Sequence, residues 1–394
     1  MMSSRNPLPW CHNMEFIDLK SQYRMLAGSI QERIQKVLEH GTYIMGPEVP
    51  QLEKRLAALT GTAHCISCSS GTDALLMVLM AKGVGAGDAV FTTPFTFIAS
   101  AEVIAMLGAT PIFVDIDPDT YNMDPDKLSA AVESLYSGRQ PSPGTPAGLR
   151  PKAVIPVDLF GLPADYDAIG AIARRHGLVV LEDAAQSLGG SYRGKQVGAL
   201  GDAAATSFFP AKPLGCYGDG GAIFTNDSAL AEILGSIRVH GKGMDKYDNV
   251  RIGMNGRLDT LQAAILLSKL EIFEEEIEKR QQVARRYSEG LEGLVKVPRI
   301  PVGLTSAWAQ YSVTSPKKAA IMDALKAAGI PSMVYYPKPL HLQQAFAYLE
   351  YRAGAMPESE KTADEIFSLP MHPYLEGQDQ ANVVRTIQRA MGPN

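Results

Sequence analysis

The chain alternates between two rhythms. Short β-rich apolar runs occur at residues 64–67, 89–92, 111–115, 153–157 and 178–182, and stretches with helical spacing separate them at 72–82, 96–107, 125–135 and 164–176. Strands that alternate with helices pair in parallel, with helices covering both faces of the sheet. Ligands gather at the carboxyl ends of the strands in such sheets. Three polar segments fall at those ends: Ser70-Gly71-Thr72, the run from Thr93 to Phe97, and Asp183, which closes LVVLED.

Before this region, Met25, Leu26, Ile30, Ile34, Val37 and Leu38 mark one apolar face of a helix over 21–39, with Gly41 as its stop, and 51–59 reads as a second helix. After it, a short apolar run from Ala203 to Phe209 precedes a glycine-rich stretch, AIFTN reads as a strand, and Ala229 to Val239 as a helix. Residues 257–288 read as one long helix, with Leu258, Leu261, Ile265 and Ile272 on its buried side and the small Ser268 among them. Its second half is heavily charged, and that change of character near residue 270 places a boundary. A large domain, 14–270, is expected before it. A smaller α+β domain, 271–394, follows, with a strand at Tyr311–Thr314 and helices at Ala319–Ala328 and Ser359–Phe367. The Pro/Gly-rich segment 137–151 reads as a surface insertion, and residues 1–13 as an N-terminal extension without the apolar core of a signal peptide.

Composition narrows the class. The 394 residues are 46% hydrophobic and 20% charged, which is globular and long enough for more than one core. Lys and Arg number 37 against 42 Asp and Glu, a net charge of −5 with no basic run, so nucleic acid is not an expected partner. Gly, Pro or charge interrupts every apolar stretch before it reaches the length of a membrane span. The expected compartment is the cytoplasm. Of Cys11, Cys65, Cys68 and Cys216, the middle two form a C-x-x-C, but with only His64 beside them they read as small buried residues in a reducing cytosol.

Four positions carry candidate chemistry. Ser70-Gly71-Thr72 opens a helix, whose free N–H groups and partial positive charge suit an anion; alone, it reads more readily as a plain N-cap. Phe97 can stack on a flat ring; alone, it reads as core. Asp183 can hold a pyridine nitrogen protonated, or simply cap the next turn. Lys212, in SFFPAKPLGCYGDGG, can form a Schiff base once its surroundings disfavour its charge. The prolines and glycines around it imply a tight backbone that a surface lysine does not need. Ser207 precedes it at a strand end. The P-loop, the dinucleotide glycines, H-E-x-x-H and G-x-S-x-G are all missing, and no metal site is expected. In this order on an α/β chain, an anion seat, a ring stack, a pyridinium partner and a Schiff-base lysine describe pyridoxal 5′-phosphate.

The series SSGTDAL, TTPFTFIASAE, FVDIDPDTYNMDP, EDAAQSLGG, TSFFPAKPLGCYGDGGAIFTND, RVHG, NGRLDTLQAAIL and YYPKPLH resembles the DegT/StrS-type sugar-nucleotide aminotransferases, from about residue 15 to the end. That resemblance implies the aspartate-aminotransferase (type I) fold, with a mostly parallel seven-stranded sheet, and a homodimer with shared active sites. It implies that Lys212 binds the cofactor covalently and moves protons, that Asp183 pairs the ring nitrogen, and that Gln186 reaches the ring hydroxyl. It gives Gly71, Thr72 and Ser207 the phosphate, which Asn255 reaches from the neighbouring subunit, and Phe97 the stacking position. Lys212 separates the chain from the dehydratases of the same family, where histidine replaces it.

Within the family, EFIDLKSQY, RLDTLQAAILLSKLEIFEEEI, AQYSV and SLPMHPYL most resemble the enzymes that aminate C3 of UDP-2-acetamido-2-deoxy-3-ketoglucuronate, with L-glutamate as donor and a surface polysaccharide (lipopolysaccharide or O-antigen) as destination. Arg257 then pairs the sugar carboxylate, or else braces Asp259 or the dimer contact. Tyr336 and His341, in YYPKPLH, are expected to border the sugar pocket. Two alternatives remain: amination at C4 of a 4-keto-6-deoxy sugar nucleotide, and a cofactor-binding regulator without catalysis.

Overall fold

The computed structural model describes residues 14–245 and 247–392. The expected extension 1–13, with Cys11, lies outside the described residues. Two helices come first, α1 (Leu19–His40) and α2 (Glu48–Thr60). The alternating region follows as β1 (His64–Cys68), α3 (Gly71–Ala81), β2 (Asp88–Thr92), α4 (Ala99–Met106), β3 (Thr110–Phe113), α5 (Pro125–Tyr136), β4 (Arg150–Ile155), α6 (Tyr166–His176) and β5 (Val179–Asp183). Then come β6 (Ser191–Tyr192), β7 (Lys195–Gln196), β8 (Ala203–Ser207), β9 (Gly221–Thr225), α7 (Ser228–Ile237), α8 (Thr260–Lys269) and α9 (Phe273–Leu291). The chain ends with β10 (Leu304–Thr305), β11 (Tyr311–Thr314), α10 (Lys318–Ala327), α11 (Pro357–Glu365), β12 (Ile366–Leu369) and α12 (Gly377–Met391).

The helices start and stop on local chemistry. Asp18, Asp124, Asp165 and Asp227 cap α1, α5, α6 and α7 by accepting first-turn N–H groups. Gly41 ends α1 in the left-handed conformation at φ 68°.

The main sheet has seven strands in the order β1-β9-β8-β5-β4-β2-β3. The pairs β2/β3, β2/β4, β4/β5 and β5/β8 are parallel, whereas β9 runs antiparallel to both β8 and β1. This is the mostly parallel sheet of the type I fold. The exception has a simple cause. No helix intervenes between Ser207 and Gly221, so the chain turns back without the crossover that parallel pairing needs.

The sheet buries an apolar layer on each face, one including Met77, Val90, Leu181 and Ile223, the others Phe224 with Leu266 and Phe91 with Val154. Cys65 and Cys68 fall into different layers, so they point to opposite sides of β1 and cannot share a metal. Burial drives both thiols up, Cys68 to about 12, which leaves them inert. A separate core joins α9, α10, α12, β11 and β12 through Tyr287, Val313, Leu325, Phe367 and Val383. No helix among the described residues is long and apolar enough to cross a membrane.

Several expectations need correction. Residues 257–288 are two helices, not one, broken at 270–272. Here α8 is enclosed between α1 and α2 while α9 packs on α12. Glu271, at the break, takes the Arg33 guanidinium at 2.8 Å and the Ser29 hydroxyl at 3.3 Å, both from α1. Met25 and Leu38 are exposed, so the buried face of α1 is narrower than the sequence suggests. Helix α11 stops at Glu365, and Phe367 belongs to β12, paired with Val313. The 137–151 segment lies mostly at the surface, as expected, but it is anchored. Ser142 and Thr145 are buried, Gly144 N–H donates to the Leu349 carbonyl at 3.2 Å, and β4 already begins at Arg150.

Candidate active site

Asp183 ends the central strand β5 and is 5% exposed. Its Oδ2 accepts the Ser100 hydroxyl at 2.7 Å and its Oδ1 the Ala185 N–H at 3.2 Å. Burial pushes its carboxyl up, and the Ser100 hydroxyl, the Ala185 amide and the charge of Lys212 oppose that. Lys212 is the mirror case: burial pushes its amine down, and the Asp183 charge opposes. The two groups lie within each other's electrostatic reach. Lys212 Nζ makes no hydrogen bond to a described residue, which leaves the amine available.

The backbone around Lys212 is pinned. Phe208 N–H donates to the Gly220 carbonyl at 2.7 Å, Cys216 N–H to the Phe208 carbonyl at 2.7 Å, and Tyr217 N–H to Gln262 Oε1 at 2.9 Å. Lys212 and Pro213 border a cavity of about 10 Å³ together with Asp18, Gln22, Arg280 and His372, so the lysine loop backs onto α1 and α9.

At the start of α3 the cap is Ser70, whose hydroxyl accepts the Asp73 N–H at 3.0 Å. The amides of Gly71 and Thr72 therefore open the helix without intrahelical partners. A Cβ on Gly71 would meet the Ser207 Cβ at 2.7 Å, so only glycine lets the end of β8 come this close. Ser69 N–H donates to the Gly256 carbonyl at 3.2 Å, which sets Asn255 and Arg257 on either side of a residue touching this corner. Asn255 is exposed. Arg257 is half-buried, and its Nε is covered without a hydrogen-bond partner.

Gln186 is held from both sides. Its Oε1 accepts the Phe160 N–H at 2.8 Å, and its Nε2 donates to the Tyr336 hydroxyl at 3.3 Å. The Tyr336 ring lies 6.3 Å from Phe95 and 6.5 Å from Phe97, centroid to centroid. The Phe97 side chain itself is 55% exposed, with a free face. His341 does not join this group. It is buried, its Nε2 meets Glu360 at 3.0 Å, and its surroundings are Tyr351 and the loop before α11. The family resemblance in YYPKPLH puts it at the border of the sugar pocket; the turn Leu340–Leu342 sets it against Glu360 instead.

Ser100 escaped the sequence reading, although it stands four residues after Thr96 in TTPFTFIASAE, in the first turn of α4. Phe160 and Asp158 also escaped it. Asp158 accepts from Ala164 N–H at 2.9 Å, Tyr166 at 2.8 Å and Ser187 at 2.8 Å, and so braces the turn that follows Gln186.

Comparison with known proteins identifies the family. The model of the DegT/DnrJ/EryC1/StrS aminotransferase family matches residues 25–388. The chain is 52% identical over 364 residues to the UDP-2-acetamido-2-deoxy-3-oxo-D-glucuronate aminotransferase of Pseudomonas aeruginosa, covering 92% of this chain and 96% of that one. It is 46% identical over 379 residues to the pleiotropic regulatory protein of Geobacillus stearothermophilus, covering 95% and 98%. A DegT DnrJ EryC1 StrS aminotransferase from Brucella abortus superposes with a TM-score of 0.92 at 52% identity, covering 96% of this chain and 100% of that one. S. venezuelae DesV, solved in complex with a ketimine intermediate, gives 0.90 at 36%, covering 97% and 99%. The chain belongs to the DegT/DnrJ/EryC1/StrS aminotransferase family and is an aminotransferase that works with pyridoxal 5′-phosphate.

Proposed function

We propose that this enzyme moves an amino group from L-glutamate to C3 of a UDP-linked 2-acetamido-3-keto-uronic acid, in the cytoplasm, for a surface polysaccharide of the lipopolysaccharide or O-antigen kind. The observation that carries the substrate is Arg257. Arg257 is half-buried, two residues after Asn255, and its planar guanidinium suits a sugar carboxylate held by two parallel hydrogen bonds. The Pseudomonas aeruginosa relative, named for the 3-oxo-glucuronate, supports the same choice.

The residues fit the cofactor. Gly71 leaves the cradle between α3 and Ser207 that a Cβ would fill, and the amides of Gly71 and Thr72 with the Ser207 hydroxyl are the groups for its phosphate. When bound, pyridoxal 5′-phosphate supplies the electron sink through which an amine leaves one carbon and reaches another. Asp183 meets the ring nitrogen as a carboxylate, Gln186 offers its amide to the ring hydroxyl, and Phe97 covers a ring face. Lys212, with its charge disfavoured by burial, is the nucleophile and then the group that takes and returns the proton. Tyr336 borders the sugar. His341 has no part in it, being paired with Glu360.

The active form is read as a homodimer in which Asn255 serves the neighbouring subunit's phosphate site. The exposed Met244, Val250 and Ile252 beside it support a covered face. Residues 14–270 form the cofactor-holding unit and 271–394 a smaller one, a division supported by the separate core of α9, α10 and α12.

The test is incubation with glutamate and a panel of keto sugar nucleotides, with products identified by mass. The 3-keto uronate is aminated. Arg257→Ala lowers turnover of the uronate far more than that of a neutral 4-keto-6-deoxy sugar; equal losses remove the carboxylate clamp. Amination of the neutral 4-keto-6-deoxy sugar in place of the uronate favours the C4 reading.

A further inference from the structure

The cofactor carboxylate does not stand alone. Ser100 is 1% exposed and Thr96 2% exposed, and both lie on the segment that carries Phe97. A carboxylate only accepts hydrogen bonds, so at 2.7 Å the Ser100 hydroxyl must spend its single proton on Asp183 Oδ2. The contact between Thr96 Oγ1 and Ser100 Oγ, at 3.1 Å, is thereby given a direction: Thr96 donates to Ser100. A relay of two buried hydroxyls thus points at one oxygen of Asp183. The Ala185 N–H holds the other at 3.2 Å. Each carboxylate oxygen keeps further lone-pair capacity.

We infer that Ser100, backed by Thr96, is a positioning residue for Asp183: it fixes the carboxylate rotamer, so that its unused lone pairs face the nitrogen of the cofactor ring. This rests on the reading of Asp183 given above. Burial alone drives Asp183 toward its proton, and the Ser100 hydroxyl is the first influence acting against that. A protonated Asp183 could not hold a pyridinium. Because Ser100 sits in the first turn of α4, three residues beyond Phe97, one short segment sets both the ring-covering aromatic and the aim of the carboxylate.

If Ser100 acts through Asp183, its effect must depend on the ring nitrogen. Apoprotein is titrated with pyridoxal 5′-phosphate and with its 1-deaza analogue, in which C–H replaces that nitrogen. Dissociation constants are read from quenching of the intrinsic fluorescence. Ser100→Ala weakens pyridoxal 5′-phosphate on the order of tenfold, the scale of one hydrogen bond to a charged group. Its effect on the deaza analogue stays within about twofold, and Ser100→Thr, which keeps the hydroxyl, restores most of the affinity. Equal losses on the two rings would make Ser100 merely structural and overturn the inference. Should Ser100→Ala not fold, Thr96→Val carries the same comparison: a loss confined to the nitrogen-bearing ring supports the relay, and equal losses overturn it. A wild-type protein that binds neither ring fails before Ser100 is reached, and that result strikes the proposed function itself.

Discussion

Gln186 and Tyr336 meet across the site, the amide Nε2 donating to the phenol oxygen at 3.3 Å while Phe160 N–H occupies the amide oxygen. The amide cannot turn over without losing the Phe160 contact, so its N–H groups, and not its carbonyl, face the open side. Tyr336→Phe removes the phenol and leaves the amide held from one side only. It should lower kcat/KM about fivefold, the effect of roughly 1 kcal/mol. Tyr336→Ala also strips the packing against Phe95 and Phe97 and should cost more. Steady-state kinetics on both variants checks the order.

Gly71→Ala tests the close approach of β8 to α3. The new Cβ meets the Ser207 Cβ at 2.7 Å, and the end of β8 must retreat. Overpacking of this kind costs about 1–3 kcal/mol, more than alanine returns at the first position of a helix. The expected outcome is a lower unfolding temperature of the apoprotein with cofactor affinity lower by on the order of tenfold. Calorimetry and cofactor titration on the same samples read the two effects.

Asp158 makes the apoprotein sensitive to base. Burial, against its three donors and reinforced by Asp183, raises its carboxyl from 3.8 to about 7, and Glu182 nearby is raised as well. The sign follows directly. Between those values the folded chain keeps a proton that the unfolded chain has lost, so stability is full at low pH and falls as pH rises through the folded value. Each pH unit in that window is worth at most about 1.4 kcal/mol. Asp158→Asn keeps the acceptor for Ala164 and Tyr166 and can donate to Ser187. Unfolding midpoints between pH 5 and about 8 should slope less steeply for this variant than for wild type.

His341 tests the one site residue that the fold moved. It is fully covered against Glu360. His341→Ala should destabilise the protein by about 1–3 kcal/mol, the effect of stripping a buried partner, with the KM for the sugar nucleotide unchanged in whatever protein remains folded. A raised KM at normal stability would return the residue to the pocket.

Much of this was legible in the chain. Alternation of apolar strands and amphipathic helices gives the parallel sheet, and the position of an acid at the end of one strand gives Asp183 its place. Lys212 stood out because prolines and glycines surround it. The antiparallel β9 is only implied, by the lack of a helix between Ser207 and Gly221. The break between α8 and α9 has no sequence mark, neither Pro nor Gly. It comes from the two helices burying against different partners, with Glu271 tied to α1. Ser100 and Asp183 are 83 positions apart, and Gln186 and Tyr336 are 150 apart. Periodicity reports a residue's own element, so pairings at such distances become visible only once the sheet has assembled.

The central claim is that Lys212 and Asp183 serve one ring. Borohydride reduction of the protein loaded with pyridoxal 5′-phosphate, followed by peptide mass mapping, tests it most directly. The pyridoxyl group should appear on the peptide containing Lys212 in wild type, be absent from Lys212→Ala, and stay on Lys212 but at much lower occupancy in Asp183→Ala. Labelling of another lysine, or an occupancy untouched by the loss of Asp183, would contradict the account.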